Sequence, residues 1–329
     1  MLGTEQVPTL REKPTRTLDE LQDLLADVSR GHHDHIVSPK DLHVDRHTGT
    51  LAIRPISRDY DFKPLALSQM ATKLNIPANY LQRCPSELRA ANVNHWLERQ
   101  RSDLLVRCDG NQVRAILSHR YAIVNNTDIV GWLRGALGSE TNLRFEVTEG
   151  YMTMHVVQPK DFSARPGDRL NNGVAVRNSE VGLACVEVHG LIYRQICLNG
   201  LILAGRNQQW RKRHIGNGDL ANRVKEAVIR LRDAAPTAME GFTALHGIRV
   251  PDMPGLFKKV ATRYSLTEAQ LQAVSDAFVV EPGDTMYHAV NAFTRAGNAE
   301  TLPTEYRHNL QELGGRILEN STHGTAWLN

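Results

Sequence analysis

The stretch that decides the fold class is LLVRCDGNQVRAILS at residues 104–118, where two β-prone runs flank Asp109-Gly110-Asn111. A glycine after a short polar residue permits the positive φ of a tight turn, so this stretch predicts a β-hairpin. Upstream, Thr17 and Glu20 have the spacing of a capping box, and apolar residues follow at helical intervals. Further helical faces and a short strand at 50–53 precede the hairpin.

Hairpin and strand signals continue downstream of residue 118. Asn125 is placed to cap a helix, and Glu149-Gly150 is placed to turn a second hairpin. The segment 189–199 has two interpretations, a third hairpin turned by Asn199-Gly200 or a short helix that ends before Gly200. The β-prone runs lie at 143–148, 151–157, 174–176 and 181–188.

Helical periodicity resumes beyond residue 217 and reaches a last helix at 304–319, which follows Pro303. The predicted fold class is therefore α+β, with a hairpin-rich mixed β core and flanking helices. We divide the chain into a flexible arm at 1–16, a mostly helical region at 17–103, a β-rich core at 104–216 and a helical region at 217–329.

Composition places the chain among ordinary globular proteins, because 41% of its 329 residues are hydrophobic and 23% are charged. The net charge of +3 is only mildly basic, so the case for an anionic partner depends on where the cations lie. The sequence has no apolar run of about 20 residues and no basic-then-apolar leader, so we expect a cytoplasmic protein without membrane contact. The four cysteines are widely spaced, which predicts reduced thiols.

Cations concentrate around one aromatic residue in Trp210-Arg211-Lys212-Arg213-His214. An aromatic ring can stack on a base for about 1–3 kcal/mol, while arginine and lysine neutralise phosphates. The alternative is a solvated surface, with Trp210 anchored in the core and Arg194 paired with Glu180 or Glu187. The candidate nucleic-acid-binding residues are Arg120, Tyr121, Arg177, Arg194, Arg206, Trp210, Arg211, Lys212, Arg213, His214, Arg223 and Lys225.

Metal and catalytic chemistry have weaker support in the sequence. Adjacent histidines point apart, so a surface loop is favoured over a metal site for the histidine-rich segment. The glycines follow neither a Walker nor a dinucleotide pattern, so we expect no nucleotide cofactor. Neither the histidine spacing nor the separation of the acidic residues favours a site, so we expect no metal and no catalytic residue. The residues considered were His32, His33, Asp34, His35 and His43 for a metal, and Asp168, Glu180 and His189 for a nuclease or hydrolase.

Five separated segments form an ordered pattern: RAILSHRY at 114–121, Gly167-Asp168, NSEVG at 178–182, Tyr193-Arg194 with CLNG at 197–200, and NAFT at 291–294. In this order they resemble the phage and plasmid-like proteins catalogued as domain of unknown function 932. The resemblance implies a mobile-element setting. It also implies a hairpin-rich core that looks similar to phage single-strand annealing proteins of the Red-beta and RecT type.

The cationic cluster, the hairpins and the resemblance together lead to one main hypothesis. The chain is expected to be a non-enzymatic protein that binds single-stranded DNA and promotes strand annealing as a homo-oligomeric ring or filament. One alternative is a protein-interaction factor that acts on a host defence or replication enzyme through exposed apolar surface. A second alternative is a metal-dependent nuclease that uses Glu180.

Overall fold

The structure is a computed structural model that describes residues 10–11, 16–139, 141–165, 168–194, 199–216 and 218–322. The chain has the predicted α+β fold, with two β-sheets and helices packed against them. No helix among these residues combines the length and the apolar character needed to cross a lipid bilayer. Cys84, Cys108 and Cys185 are free thiols, and Cys197 lies outside the described residues.

The strands are β1 (Leu10–Arg11), β2 (Arg16–Thr17), β3 (His32–Val37), β4 (Leu42–Val44), β5 (Leu51–Ile53), β6 (Arg58–Phe62), β7 (Leu104–Asp109), β8 (Gln112–Ser118), β9 (Asn142–Val147), β10 (Met152–Arg165), β11 (Asp168–Asn178), β12 (Val186–Arg194), β13 (Asn199–Ile202) and β14 (Gln209–Lys212). The α-helices are α1 (Leu18–Val28), α2 (Pro64–Lys73), α3 (Ala78–Arg83), α4 (Ser86–Leu97), α5 (Asn126–Leu137), α6 (Leu220–Ala244), α7 (Met253–Tyr264), α8 (Glu268–Val280), α9 (Met286–Ala296) and α10 (Thr304–Thr322). Short 3-10 turns occur at Ser29–Gly31, Pro39–Asp41, Arg54–Ile56 and Leu245–Gly247.

The smaller sheet has the strand order β3-β7-β8-β6-β5-β4. Its strands come from both sides of residue 104, so the predicted boundary between the helical region and the β core falls inside this sheet. The histidine-rich segment, predicted as a surface loop, is instead edge strand β3, and that prediction is wrong for His32–Val37. Strand alternation explains the pattern, because His33 and His35 face Tyr60 while His32 and Asp34 contact Arg114 and Arg107 on the other face.

The larger sheet has the order β1-β9-β10-β11-β12-β13, with β14 also paired to β12 and β2 to β9. Val186 and Val188 of β12 join the apolar core under α1, α5 and α6. Glu187 and His189 alternate with them on the opposite face, where His308 of α10 lies. One face of this sheet is therefore an ordinary apolar layer, and the other carries buried polar groups.

Two arginines of the smaller sheet join it to the larger one. Arg107 donates to Asp34 in its own sheet, and also to the Glu180 carbonyl oxygen at 2.7 Å and to Asn125 Oδ1 at 2.7 Å. Arg114 donates to Glu149 Oε1 at 2.8 Å and to Glu180 Oε2 at 3.1 Å. All the polar contacts of this junction lie between segments far apart in the chain.

The local turn and cap predictions are confirmed. Gly110 turns the β7–β8 hairpin with φ of 57°, and residues 149–150 connect β9 to β10. Capping boxes are present at both predicted helix starts, Thr17 and Asn125. In the unsettled segment, β12 and β13 form a hairpin that pairs Arg194 with Asn199, so Gly200 lies in a strand; residues 195–198 are outside the described residues.

The described residues of the predicted flexible arm, 10–11 and 16, pair with the larger sheet. Leu10 and Arg11 lie opposite Val147 and Glu146 of β9, and Arg16 lies opposite Leu143. The rest of the arm and the polar tail from residue 323 lie outside the described residues.

Candidate functional site

Two of the predicted cationic residues are buried in the larger sheet, Arg177 on its polar face and Arg194 on the opposite face. Arg194 is 8% exposed, its Nη1 lies 2.5 Å from Glu281 Oε2, and its guanidinium lies over the Tyr287 ring. Arg177 is also 8% exposed and lies 4.6 Å from the centre of the Tyr151 ring. Arg194 is thus held by Glu281, the residue that follows α8, and not by Glu180 or Glu187.

The Trp210 segment forms part of β14 and packs closely on the sheet. Trp210 is half-buried against the apolar core, and Arg211 reaches back to Glu187 Oε1 at 2.6 Å. Burial by itself raises the pKa of Glu187, but the adjacent His189 ring and the Arg211 guanidinium outweigh it and hold that pKa well below its usual range. Glu187 is therefore a carboxylate, and Arg211 is its counter-ion.

A second contact brings together two predicted segments that are far apart in the chain. The rings of Tyr121 and His214 are stacked, with centroids 4.6 Å apart and planes within 5°. The Tyr121 hydroxyl donates to the Ser179 carbonyl oxygen at 2.7 Å, and His214 Nδ1 lies 3.1 Å from the Ala122 carbonyl oxygen. Arg120 and Arg213, each adjacent to one of the two rings, are both exposed.

The remaining predicted cations are dispersed around this region. Arg206 is exposed in the turn before β14, and Lys212 is half-buried at the end of that strand. On α6, Arg223 is exposed and Lys225 is half-buried against Gly135 of α5. The cationic run read from the sequence is thus spread over a strand, a turn and a helix.

An open cleft of about 430 Å³ lies where the larger sheet meets the α7–α8 junction and α10. It contains two of the predicted residues, Arg177 and Arg211, together with a third arginine, Arg316, and two tyrosines, Tyr264 and Tyr306. We call this the arginine cleft. Its other lining residues are Ser265, Leu266, Thr267, Gln270, Asn309, Glu312 and Leu313.

Arg177 is buried, but the other two arginines of the cleft retain exposed surface although each has a carboxylate partner. Arg211 pairs with Glu187, and Arg316 pairs with Glu312 at 2.8 Å, yet both arginine side chains are 47% exposed. A guanidinium has five N–H donors, so one group can hold a carboxylate and still donate to a second anion. Arg211 and Arg316 therefore keep exposed N–H donors in a cleft that two tyrosine rings also line.

Buried imidazoles lie beneath the arginine cleft. His189 Nδ1 lies 3.0 Å from the Leu203 carbonyl oxygen, and its Nε2 lies 3.5 Å from Glu187 Oε2. The His308 ring is centred 6.5 Å from that of His189, and neither of its nitrogens has a hydrogen-bond partner among the described residues. Burial, then Arg177 and His189, hold the pKa of His308 well below its ordinary value.

This burial predicts an acid-sensitive fold. Because the pKa of His308 is lowered, the unfolded chain takes up a proton below about pH 6.5 that the folded chain does not, so the free energy of unfolding must fall as the pH drops from about 7 to about 5. Urea denaturation at both pH values measures this fall in the free energy of unfolding. The fall should be smaller in His308→Gln. The exposed His43→Gln is the control, and an equal reduction in both variants would contradict the assignment.

The set considered for nuclease chemistry is not assembled among the described residues. Glu180 lies in the junction with Arg114, whereas His189 lies in the middle of β12 beside Glu187. The side chain of Asp168 is outside the described residues.

The sequence reasoning missed the helical side of the arginine cleft. Tyr306, Asn309, Leu313 and Arg316 recur at intervals of three or four residues, so one face of α10 carries them all. That spacing was the available signal. A run of consecutive cations does not contain these residues, because the cleft gathers single residues from several elements.

A comparison of the sequence with known protein families gives one match. The sequence model of a family described as Domain of unknown function (DUF932) matches residues 114–327, about two-thirds of the chain. The chain belongs to this family. No curated protein and no solved structure matches the chain. The DUF932 match includes every residue of the arginine cleft and begins inside β8, so β3 to β7 lie outside it.

Proposed function

We propose that this DUF932 chain binds single-stranded DNA, with the arginine cleft holding a nucleotide of the strand. The observation that carries the proposal is that Arg177, Arg211 and Arg316 line one cleft with Tyr264 and Tyr306. Cations that hold phosphates beside rings that stack on bases are the combination used by proteins that bind single strands. A cleft of about 430 Å³ is also within the size range of small-ligand sites.

The exposed cations near the Tyr121–His214 stack extend this surface. Arg213 follows Arg211 by two residues, which is about 7 Å along an extended chain. Arg120 is next to Tyr121, whose ring is stacked on His214. A strand leaving the arginine cleft along β14 would therefore meet Arg213 and then Arg120.

Binding of this kind makes no hydrogen bonds to the edges of the bases. Contacts to phosphates and ring faces carry little sequence information, so the affinity should depend weakly on sequence and strongly on salt. Strand annealing and assembly into a ring or filament stay predictions that rest on the sequence resemblance. They would follow binding, because a protein that neutralises two backbones without covering the base edges leaves them able to pair.

Charge-neutral variants test the proposal. Arg213→Gln and Arg316→Gln each remove one cation, and glutamine can still donate to Glu312 in the second case. We expect each to weaken binding of a labelled single-stranded oligonucleotide and to reduce the slope of log affinity against log salt by about 0.7. Fluorescence anisotropy across a salt series measures both quantities.

The matched control is Arg83→Gln, which removes one exposed arginine from α3, an element that does not contribute to the cleft. Its affinity and salt slope should equal those of the native chain. The proposal fails if the native chain does not bind at low salt, or if Arg83→Gln has the same effect as the two cleft-side variants.

One observation favours the alternative of a protein partner. Val279 and Val280 at the end of α8 are 75% and 61% exposed, and Val280 lines a groove of about 520 Å³ between α8 and the segment after α9. An exposed apolar pair beside a groove is typical of protein-binding surfaces. Loss of a partner in Val280→Ser with unchanged DNA affinity would assign the two functions to separate surfaces.

A further inference from the structure

Three side chains with metal-binding atoms converge on one face of the smaller sheet. His33 and His35 are two residues apart on edge strand β3, so they point to the same face. Cys108 of β7 is paired directly with His33 in the ladder. One ligand atom from each of the three side chains lies within 4.8 Å of the other two.

The surroundings orient His33 as a ligand. Its Nδ1 lies 2.9 Å from the Gly31 carbonyl oxygen, which also accepts the Gly110 N–H at 2.9 Å. A carbonyl oxygen can only accept a hydrogen bond, so Nδ1 carries the proton and the lone pair of the neutral ring is on Nε2. Metal-bound histidines are held in this way by the ring nitrogen that does not bind the metal.

Tyr60 completes the group from β6. Its hydroxyl lies 3.2 Å from His33 Nε2 and 3.3 Å from His35 Nε2, and the residue is fully buried. Both Nε2 atoms thus face the Tyr60 hydroxyl, and one ring nitrogen of each histidine lies within 4.8 Å of Cys108 Sγ. Both histidines are half-buried on an edge strand, which leaves a path for an ion to enter.

We propose that His33, His35 and Cys108 bind one zinc-class divalent metal ion, with the Tyr60 hydroxyl nearest to the fourth position. Two imidazoles and a thiolate are a preferred zinc donor set. Zinc bonds of 2.0–2.3 Å give tetrahedral ligand separations of about 3.3–3.8 Å, which small side-chain rotations reach from the present spacing. Binding releases the Cys108 thiol proton to solvent, so the ion binds a thiolate.

The ion would tie edge strand β3 to β7 and thereby stabilise the smaller sheet. This role is independent of the arginine cleft, which lies in the other sheet and within the DUF932 match. The competing account is a metal-free hydrogen-bond chain, in which Tyr60 links the two imidazoles. The two accounts differ in whether the native chain takes up metal with a thiolate ligand.

Cobalt titration of the full chain decides between them. Chelator-treated, reduced protein is titrated with Co²⁺, and metal content after Zn²⁺ loading is measured by mass spectrometry. We expect one ion per chain, a thiolate-to-cobalt charge-transfer band, and a higher melting temperature with Zn²⁺. Cys108→Ser should abolish the band, and His35→Gln should weaken binding by more than about 100-fold, the upper range for loss of an outer-shell partner.

The controls are Cys84→Ser, which removes another buried thiol, and His43→Gln, which removes an exposed histidine; both should bind cobalt as the native chain does. Failure of the folded native chain to take up one equivalent overturns the proposal. So does a charge-transfer band that persists in Cys108→Ser, because the thiolate would then come from another cysteine.

Discussion

Replacing Arg114 with methionine should lower the free energy of unfolding by about 3–5 kcal/mol, the range for removing one partner of a buried ion pair. Arg114 is 5% exposed and donates to both Glu149 and Glu180. It also contacts His32 Nδ1 at 2.8 Å. Without the guanidinium, Glu180, which is 6% exposed, would lose its charged partner and keep the Asn126 N–H at 2.7 Å as a donor.

The effect should be local to this junction and not a general result of losing an arginine. Urea denaturation of Arg114→Met measures the free-energy change, and Arg101→Met, at an exposed loop position, is the control. The control should stay within about 0.5 kcal/mol of the native chain. A loss below about 1 kcal/mol in Arg114→Met would mean that water or rearranged side chains satisfy Glu180.

Gly315→Ala should destabilise the protein by about 3 kcal/mol, although alanine is the better helix former. Gly315 lies within α10, where the helix packs directly on the chain after β13. A Cβ on Gly315 would overlap the Ile202 carbonyl oxygen and lie 3.2 Å from Leu203 Cα. Both are backbone atoms, so the clash is relieved only if the helix moves away from the sheet.

The same glycine-to-alanine substitution in another helix should have the opposite effect on the free energy of unfolding. Gly131 of α5 is exposed, and a Cβ there would have no atom within 4 Å. Gly131→Ala should therefore raise the free energy of unfolding by up to about 1 kcal/mol through helix propensity alone. Thermal and urea denaturation measure the change in the free energy of unfolding for each variant. A more stable Gly315→Ala would show that α10 does not approach β13 so closely.

Local signals predicted the elements whose chemistry lies within a few residues. The Asp109-Gly110-Asn111 turn, the Thr17 capping box and the helix start at Asn125 are confirmed because turn and cap geometry depend on neighbours in the chain. The histidine-rich segment was misassigned for the converse reason. Its side chains alternate between the two faces of the sheet, and the partners that explain this alternation lie on β7. There Arg107 pairs with Asp34, and Cys108 lies opposite His33.

The candidate sites depended on contacts that no local pattern contains. The sequence predicts Arg211 as a nucleic-acid-binding cation but does not show its partner Glu187, 24 residues earlier on the adjacent strand. The arginine cleft adds Arg316 from α10, and the proposed metal site adds Cys108 from β7. In each case the decisive neighbour is set by strand register or helix packing.

By itself, the sequence determined the α+β class, the turns, the helix caps and the membership in the DUF932 family. Only the tertiary structure decided which charges are paired, which cations remain exposed, and which distant side chains share a cleft. The physical reason is the separation along the chain over which each interaction acts. Turn and cap preferences act over three or four residues, whereas Arg114 meets Glu180 across 66 residues because the sheets, not the intervening chain, bring them together.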